Sequence, residues 1–253
     1  NPVGSRAALR TWSGVSIENV TVVSPKNGGI TVASGNTLPY IKNVTIDLKM
    51  ETGNMDQNTT KVLTENEFIA NYQPRKYKQP SVTADIVVMQ KMEKLKILLI
   101  ERGGHPYIEC LALPGGFANE NEPLIETAKR ELYEETNLVD LPLEEVGCFS
   151  KANRDPRGWV ISFAFVSLIK KTLTPKAGDD ANKCSWYDLI VNQKENILEL
   201  SFVDENNVHK AILEIIKENG INSYVINYKT ITSDLAFDHA EIIAKALNKI
   251  NFI

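Results

Sequence analysis

Cysteine is scarce in this chain: three residues in 253, Cys110, Cys148 and Cys184, widely spaced and odd in number. With no Cys-x-x-Cys pair and no histidine beside them, they make neither a disulfide framework nor a zinc set. They read as buried or incidental thiols of a reducing compartment. Long apolar runs are missing as well. The longest nearly apolar stretch, Trp159 to Ile169, is about half of what a helix needs to cross a bilayer, so no membrane span is expected. The first residues lack a basic start followed by an apolar core, which makes cytoplasmic residence the expectation. Nor is there an excess of positive charge: 28 Lys plus Arg stand against 32 Asp plus Glu, a net charge of -4 with pI near 5.6. Nonspecific binding to nucleic acid needs clustered basic residues, so nucleic acid is an unlikely partner. A small polyanion is still open to the chain, provided that a divalent metal and a few local arginines reverse the sign inside one pocket.

What is present is the balance of a globular protein, 43% apolar and 24% charged residues, in a length that suits one enzyme-sized domain with an appendage. Residues 1 to about 54 hold short β-prone pieces, Val15 to Val23 and Tyr40 to Leu48, separated by Gly, Asn, Ser and Pro, with no repeat or low-complexity tract standing out. Met55 resembles an ordinary protein start, so the residues before it are expected to be a small appended β element or a leader. We divide the chain into a β-rich N-terminal extension over 1–78 and a main domain over 79–253, with an insertion near 191–234.

In the main domain, Val82 to Met89 and Leu95 to Ile100 are expected to pair as a hairpin around Lys91 to Lys94. A short strand near Ile108 to Leu113 leads into the turn Pro114-Gly115-Gly116. A helix follows from Glu122 or Pro123 to Thr136, where Leu124, Ile125, Ala128 and Leu132 make one apolar stripe and Asn137 suits the left-handed residue after the last turn. Strands are expected over Leu143 to Ser150, Val160 to Ile169 and Lys183 to Tyr187. A βαβ segment comes next: strand Glu195 to Phe202, helix Glu205 to Glu218, strand Ser223 to Ile231. An amphipathic helix over Phe237 to Ile250 closes the series. Strands and helices mixed in this way point to the α/β or α+β class.

The chemistry concentrates between Gly116 and Leu138. Residues three and four apart share a helix face, so Glu131 stands beside Glu134 and Glu135, away from the apolar stripe. Three carboxylates held together need a cation, and hard oxygen ligands that leave room for water and phosphate suit Mg²⁺ or Mn²⁺. Arg130, one turn from Glu126 and Glu134, can orient carboxylates by paired hydrogen bonds. The glycines before the helix let backbone approach the same site. Three glutamates alone more often form a solvated face; their spacing from Gly116 and Glu122 decides against that here.

That spacing resembles the Nudix box, Gly-x5-Glu-x7-Arg-Glu-U-x-Glu-Glu-x-Gly-U with U aliphatic, at every position but one, where Asn137 stands for Gly. Asparagine is the next best residue for that cap. The resemblance implies a Nudix α/β/α sandwich with a mixed sheet, a catalytic set of Glu122, Arg130, Glu131, Glu134 and Glu135, and a divalent metal. The metal would be held by Glu131, Glu134 and Glu135 with the carbonyl of Gly116, while Glu122 and Arg130 are structural. It does not say which carboxylate activates water. Arg154-Asp155-Pro156-Arg157, Ala177-Gly-Asp-Asp-Ala181, Trp186 and Leu235-Ala-Phe-Asp-His-Ala-Glu241 resemble segments of ADP-ribose-type members, which implies substrate binding by Arg154, Asp155 and Arg157 and a homodimer. Taken singly, His239 reads as a capping or packing residue, and Trp186 and Phe237 read as core.

The expected activity is thus Mg²⁺-dependent hydrolysis of ADP-ribose, or a related nucleoside diphosphate derivative, to two monophosphates. Two other readings share the pattern. One is the ligand-sensing domain of Nudix-related transcriptional regulators, which the full set of acidic residues disfavours. The other is a housecleaning enzyme for oxidised nucleoside triphosphates, which the Arg154 to Arg157 segment disfavours.

Overall fold

The structure is a computed structural model. It describes residues 17–18, 21–23, 41–42, 45–47, 64–72, 78–177, 181–221 and 223–253. Residues 178–180 of the Ala177 to Ala181 segment and the Met55 stretch lie outside them. The chain divides into two compact units, Asn1–Tyr72 and Gln73–Ile253.

In the first unit β1 (Ile17–Glu18) pairs in parallel with β3 (Ile41–Lys42), and β2 (Thr21–Val23) with β4 (Thr45–Asp47). Each paired residue meets the one twenty-four positions later, Ile17 with Ile41 and Val23 with Asp47. The register uncovers a repeat that the sequence reading missed. Ile17-Glu-Asn-Val-Thr-Val-Val23 recurs as Ile41-Lys-Asn-Val-Thr-Ile-Asp47. Parallel strands paired at the repeat period are the arrangement of stacked solenoid coils. The helix α1 (Glu65–Asn71) begins in a capping box: Thr64 Oγ1 accepts from the Glu67 N–H (3.3 Å), and the Glu67 carboxylate accepts from the Thr64 N–H (2.9 Å).

The second unit is built on a ten-stranded mixed sheet. The strand β5 (Ser81–Lys91) is buried on both faces, which is why its apolar run is continuous. It pairs in parallel with β10 (Val160–Ile169), whose other edge takes β9 (Glu144–Phe149) in antiparallel register. With β6 (Leu95–Arg102) it forms the expected hairpin, but only Met89–Lys91 and Leu95–Ile97 pair directly. Beyond that point the two strands separate. β6 continues against β7 (Leu111–Ala112), and β5 against β8 (Gly115–Phe117). The short strand expected from Ile108 is confined to β7, because Ile108 lies in an exposed loop.

Alternation along β5 sends its side chains to two cores. Ala84, Ile86 and Val88 meet α2 (Leu124–Thr136) through Ala128 and Leu132. Val87 and Met89 lie in the core of α3 (His239–Lys249), with Ile242, Ile243 and Leu247. Helices thus cover both faces of the sheet, the α/β/α arrangement expected, in an α+β chain with few helices. Within α2, Leu124 and Ile125 are half-buried at the start of the stripe. Asn137 takes the left-handed cap conformation (φ 56°, ψ 21°), and its N–H donates to the Tyr133 carbonyl.

The expected βαβ segment is corrected. The run read as a helix over Glu205 to Glu218 is the strand β13 (Val208–Asn219). It belongs to an antiparallel meander of β11 (Ala181–Lys194), β12 (Ile197–Val203), β13 and β14 (Tyr224–Ser233). The apolar residues from Val208 to Ile216 satisfy a helical and an alternating pattern about equally, and pairing on both edges selects the strand, burying Ala211, Leu213 and Ile215 on one face. Asp204 Oδ1 accepts from the N–H groups of Asn206 (2.8 Å) and Asn207 (2.7 Å), as a helix cap would, yet here it closes a hairpin. No helix among the described residues is long and apolar enough to cross a membrane. The three cysteines are free.

Candidate active site

The place where β5 and β6 part is a cavity of about 350 Å³. It is lined by Asp85 of β5, Arg102 at the end of β6, β8, Arg130, Glu131 and Glu135 of α2, the loop at Arg154 to Arg157, Phe237, and His239 at the start of α3. A broader depression of about 600 Å³ lies near Lys96, Trp186, Asp188, Asp204 and Glu205, and two of its three acids are spoken for. Asp188 pairs with Lys94 and Lys96, and Asp204 closes its turn. The site is therefore sought in the first cavity.

Arg130 is the organising cation of α2. Its Nε and Nη2 donate to the two oxygens of Glu122 (2.8 and 2.9 Å), a bidentate pair, and Nη2 also donates to the Phe117 carbonyl (3.0 Å). Nη1 donates to Glu131 (2.7 Å) and Glu134 (3.0 Å). Glu122 accepts further from the Asn119 N–H and the Thr127 hydroxyl. The Arg130 hydrogen bonds, followed by that from Asn119, hold the Glu122 carboxyl down at about 2. In this geometry Glu122 fixes the Arg130 guanidinium, which in turn bonds Glu131 and Glu134.

The three expected metal ligands are not equivalent. Glu131 and Glu135 line the cavity, whereas Glu134 does not; its side chain is 52% exposed against 13% for Glu131. Glu135 accepts from the Gly115 N–H (2.8 Å). Burial raises the pKa of Glu131, with Arg130 opposing, and pushes Glu135 up to about 8 against the hydrogen bond from Gly115. Two carboxylates desolvated beyond what their protein partners compensate are suited to a hard divalent cation that keeps water and phosphate in its shell. No group of three or more His, Cys, Asp or Glu among the described residues is gathered closely enough to enclose a metal by itself. The donor set therefore fits an open, partly solvated site of Glu131, Glu135 and the Gly116 backbone.

The two glycines of β8 have different tasks. A Cβ on Gly115 would strike the Ala84 carbonyl oxygen and the Asp85 backbone, both fixed in β5. For one on Gly116 the nearest atoms are those of the Glu131 carboxylate, the far end of a flexible side chain. Gly115→Ala is expected to cost about 1–3 kcal/mol of stability. Gly116→Ala should fold to within about 1 kcal/mol of the parent, because only a side chain must move, but displace Glu131 and lower turnover at least tenfold. Thermal melts beside steady-state rates check this; a destabilised Gly116→Ala with normal turnover contradicts it.

The remaining expected site residues lie deeper. Arg154 is 4% exposed at its side chain and clamps Asp238 through Nε (2.9 Å) and Nη2 (2.6 Å), with Asp85 at 3.7 Å. Burial opposes its charge, but the bonds and charge of Asp238 outweigh this and raise its pKa. Asp155 is buried and binds the backbone N–H and guanidinium of Arg157. Only Arg157 reaches the mouth, its guanidinium over Phe117 (5.0 Å) and Phe237 (5.4 Å). Asp85 accepts a hydrogen bond from the Ser162 hydroxyl. His239 packs, as expected: it is 4% exposed, its Nδ1 accepts from the Leu113 N–H (2.9 Å), and burial lowers its pKa, so the neutral ring carries its proton on Nε2, toward Asp85 at 3.8 Å. Trp186 donates its indole N–H to the Leu173 carbonyl and packs beneath α2. Phe237, read as core, is partly buried and lines the cavity; Arg102 and Asp85 as cavity walls were missed by sequence reasoning, because the alternation of β5 and β6 alone does not say that the strands part at their ends.

The NUDIX domain model matches residues 79–200. The chain is 39% identical over 132 residues to the ADP-ribose pyrophosphatase of Methanocaldococcus jannaschii, which takes in 52% of this chain and 72% of that protein. It is 27% identical over 190 residues to the ADPR responsive transcriptional repressor NtrR of Acinetobacter baylyi, covering 74% of this chain and 61% of that one. Among solved structures, a MutT/nudix family protein from Enterococcus faecalis superposes with a TM-score of 0.59 at 32% identity, over 75% of this chain and 70% of that one.

Proposed function

From the premise that the chain belongs to the Nudix family and is a Nudix hydrolase, we propose that it cleaves the pyrophosphate bond of ADP-ribose or a closely related nucleoside diphosphate derivative, with Mg²⁺. The observation that carries this reading is the lining of one cavity, which brings the desolvated carboxylates Glu131 and Glu135 together with the guanidinium groups of Arg102 and Arg157 and the rings of Phe117 and Phe237. A diphosphate joining a base-bearing half to a sugar half matches such a site, because its anionic centre needs cations and its ring system needs an apolar face. The 39% identity to an ADP-ribose pyrophosphatase supports the same substrate.

A divalent metal bound at Glu131 and Glu135 would neutralise diphosphate charge and polarise the phosphorus under attack. The chain's own residues do the rest. Arg130, locked by Glu122, holds Glu131 in place. The Gly115 N–H orients Glu135. Arg157, steadied by Asp155, contacts a phosphate or ribose oxygen, whereas Arg154 and Asp155 act through the groups that they hold. Water attacks one phosphorus, the bridging P–O bond breaks, and the products are AMP and ribose 5-phosphate. The reading also includes a homodimer, checked by light scattering, and cytoplasmic residence, checked by fractionation.

The test is hydrolysis of ADP-ribose by the purified chain with Mg²⁺, with chromatographic detection of AMP and ribose 5-phosphate and loss of turnover on chelation. The likeness to a repressor responsive to ADP-ribose supplies the second reading, a sensor. Tight binding of ADP-ribose without turnover in saturating Mg²⁺ would select it.

A further inference from the structure

Four arginines line the cavity, and three are committed to acids: Arg130 to Glu122, Glu131 and Glu134, Arg154 to Asp238, and Arg157 to Asp155. Arg102 is the exception. Among the described residues no carboxylate pairs with it, although Glu135, Asp155 and Asp85 lie near enough to act on its charge. Its Nε donates to the Pro106 carbonyl (2.9 Å), which spends one of five N–H donors and fixes the plane of the group. The guanidinium stacks over Phe237 at 5.0 Å, and Arg157 stands over the same ring at 5.4 Å. Tyr107 packs on the same ring edge to face, with the ring centroids 4.8 Å apart.

Two guanidinium groups sharing one phenyl ring repel each other. Burial first, and the charge of Arg157 second, lower the pKa of Arg102. A half-buried arginine with no acid, two unbonded terminal nitrogens and a like charge beside it is costly unless an anion joins it. We infer that Arg102 is the diphosphate contact of this site, aimed by the Pro106 carbonyl and Phe237 and completed by Arg157, so that one anion lies between the two guanidinium groups. The inference rests on the proposed diphosphate chemistry but not on which nucleoside carries it. It assigns a separate task to Phe237: the ring holds Arg102 flat, so its loss weakens anion binding even where no base is present.

The probe is inorganic pyrophosphate, titrated calorimetrically in Mg²⁺ against the parent, Arg102→Gln and Arg102→Lys, with ADP-ribose kinetics on the same samples. Arg102→Gln is expected to weaken pyrophosphate at least tenfold and to raise the KM for ADP-ribose tenfold or more, while kcat stays within about threefold. Arg102→Lys keeps the charge but loses the fork and the stack, and should fall between the two. Both variants should melt within a few degrees of the parent, since the terminal nitrogens bond nothing in the protein. Pyrophosphate affinity within twofold of the parent in a folded Arg102→Gln overturns the inference, even if ADP-ribose is turned over normally. If the parent fails to hydrolyse ADP-ribose while Arg102→Gln still loses pyrophosphate affinity, the substrate reading fails and the anion contact stands. Should Arg102→Gln melt far below the parent, Arg102→Lys decides by the same titration: affinity and KM both at the parent's level would leave Arg102 a structural role only.

Discussion

Glutamine at position 135 is expected to make the metal-free protein more stable at pH 8 to 9 and nearly inactive. In the folded chain burial pushes the Glu135 carboxyl to about 8 from an ordinary 4.5. The folded state therefore holds a proton that the unfolded state has released at any pH between those values. A carboxyl whose folded pKa is raised costs stability as pH climbs through that window, and the cost is complete above the folded value. Glutamine never ionises, keeps the length of the side chain, and retains an oxygen to accept the Gly115 N–H now bonded at 2.8 Å. The gain should be nil near pH 4.5, grow with pH, and reach on the order of 2–5 kcal/mol above pH 8. For a unit of this size that is a melting-point rise of roughly 4–20 °C. Saturating Mg²⁺ should reverse the order, because the parent gains ligand stabilisation that the variant lacks, and turnover should fall at least a hundredfold. Thermal melts from pH 5 to 9, with chelator and then with Mg²⁺, read all of this. A variant that melts below the parent at pH 9 in chelator, or turns over at a tenth of its rate in Mg²⁺, would sink the assignment of Glu135 as a buried metal-facing carboxylate.

The legible part of this site is the part that lies on one helix. Arg130, Glu131, Glu134 and Glu135 are related by helical periodicity, so their neighbourhood follows from spacing once α2 is granted, and Arg130 bonds Glu134 one turn on; its other one-turn neighbour, Glu126, bonds Lys129 instead, and Glu122 reaches Arg130 from before the helix. Periodicity did not separate Glu134 from its neighbours. That depends on which side of α2 the strand β8 lies against, a tertiary matter. The strands β5 and β10 were also legible, because burial on both faces leaves continuous apolar runs. The strand β13 was not, since its apolar positions serve either period and only its partners decide. Arg102, Asp85 and Phe237 come from three separate elements, and nothing local in any of them marks a wall of the cavity. The repeat in 17–47 and the capping box at Thr64 stood in the sequence but were passed over, the first because similar residues return only once and within short pieces.

Arg154→Ala should be the most damaging substitution for the fold among the cavity residues. The guanidinium is 4% exposed, and the carboxylate of Asp238 that it clamps is 10% exposed, so removing the cation strands Asp238 near Asp85 with no solvent to share the charge. Breaking such a pair from one side costs about 3–5 kcal/mol, or roughly 6–20 °C of melting temperature. Asp238 also sits between Phe237, held at a positive φ of 52°, and the start of α3. On the other side the Ala236 N–H donates to the Leu111 carbonyl (2.9 Å). The clamp is what fixes the Phe237 ring at the mouth of the cavity, so the variant that does fold should show a raised KM as well as a lower midpoint. Arg154→Met with Asp238→Leu removes both charges together and should recover more than half of the lost stability, but not the KM, because the apolar pair fills the space without fixing the backbone at Phe237. Chemical denaturation of the two single variants and the double variant gives the coupling energy directly. A coupling below about 1 kcal/mol would mean that the pair behaves as an exposed one, and Phe237 would then owe its position to the Leu111 bond beside it and to the Tyr107 and arginine contacts of its ring.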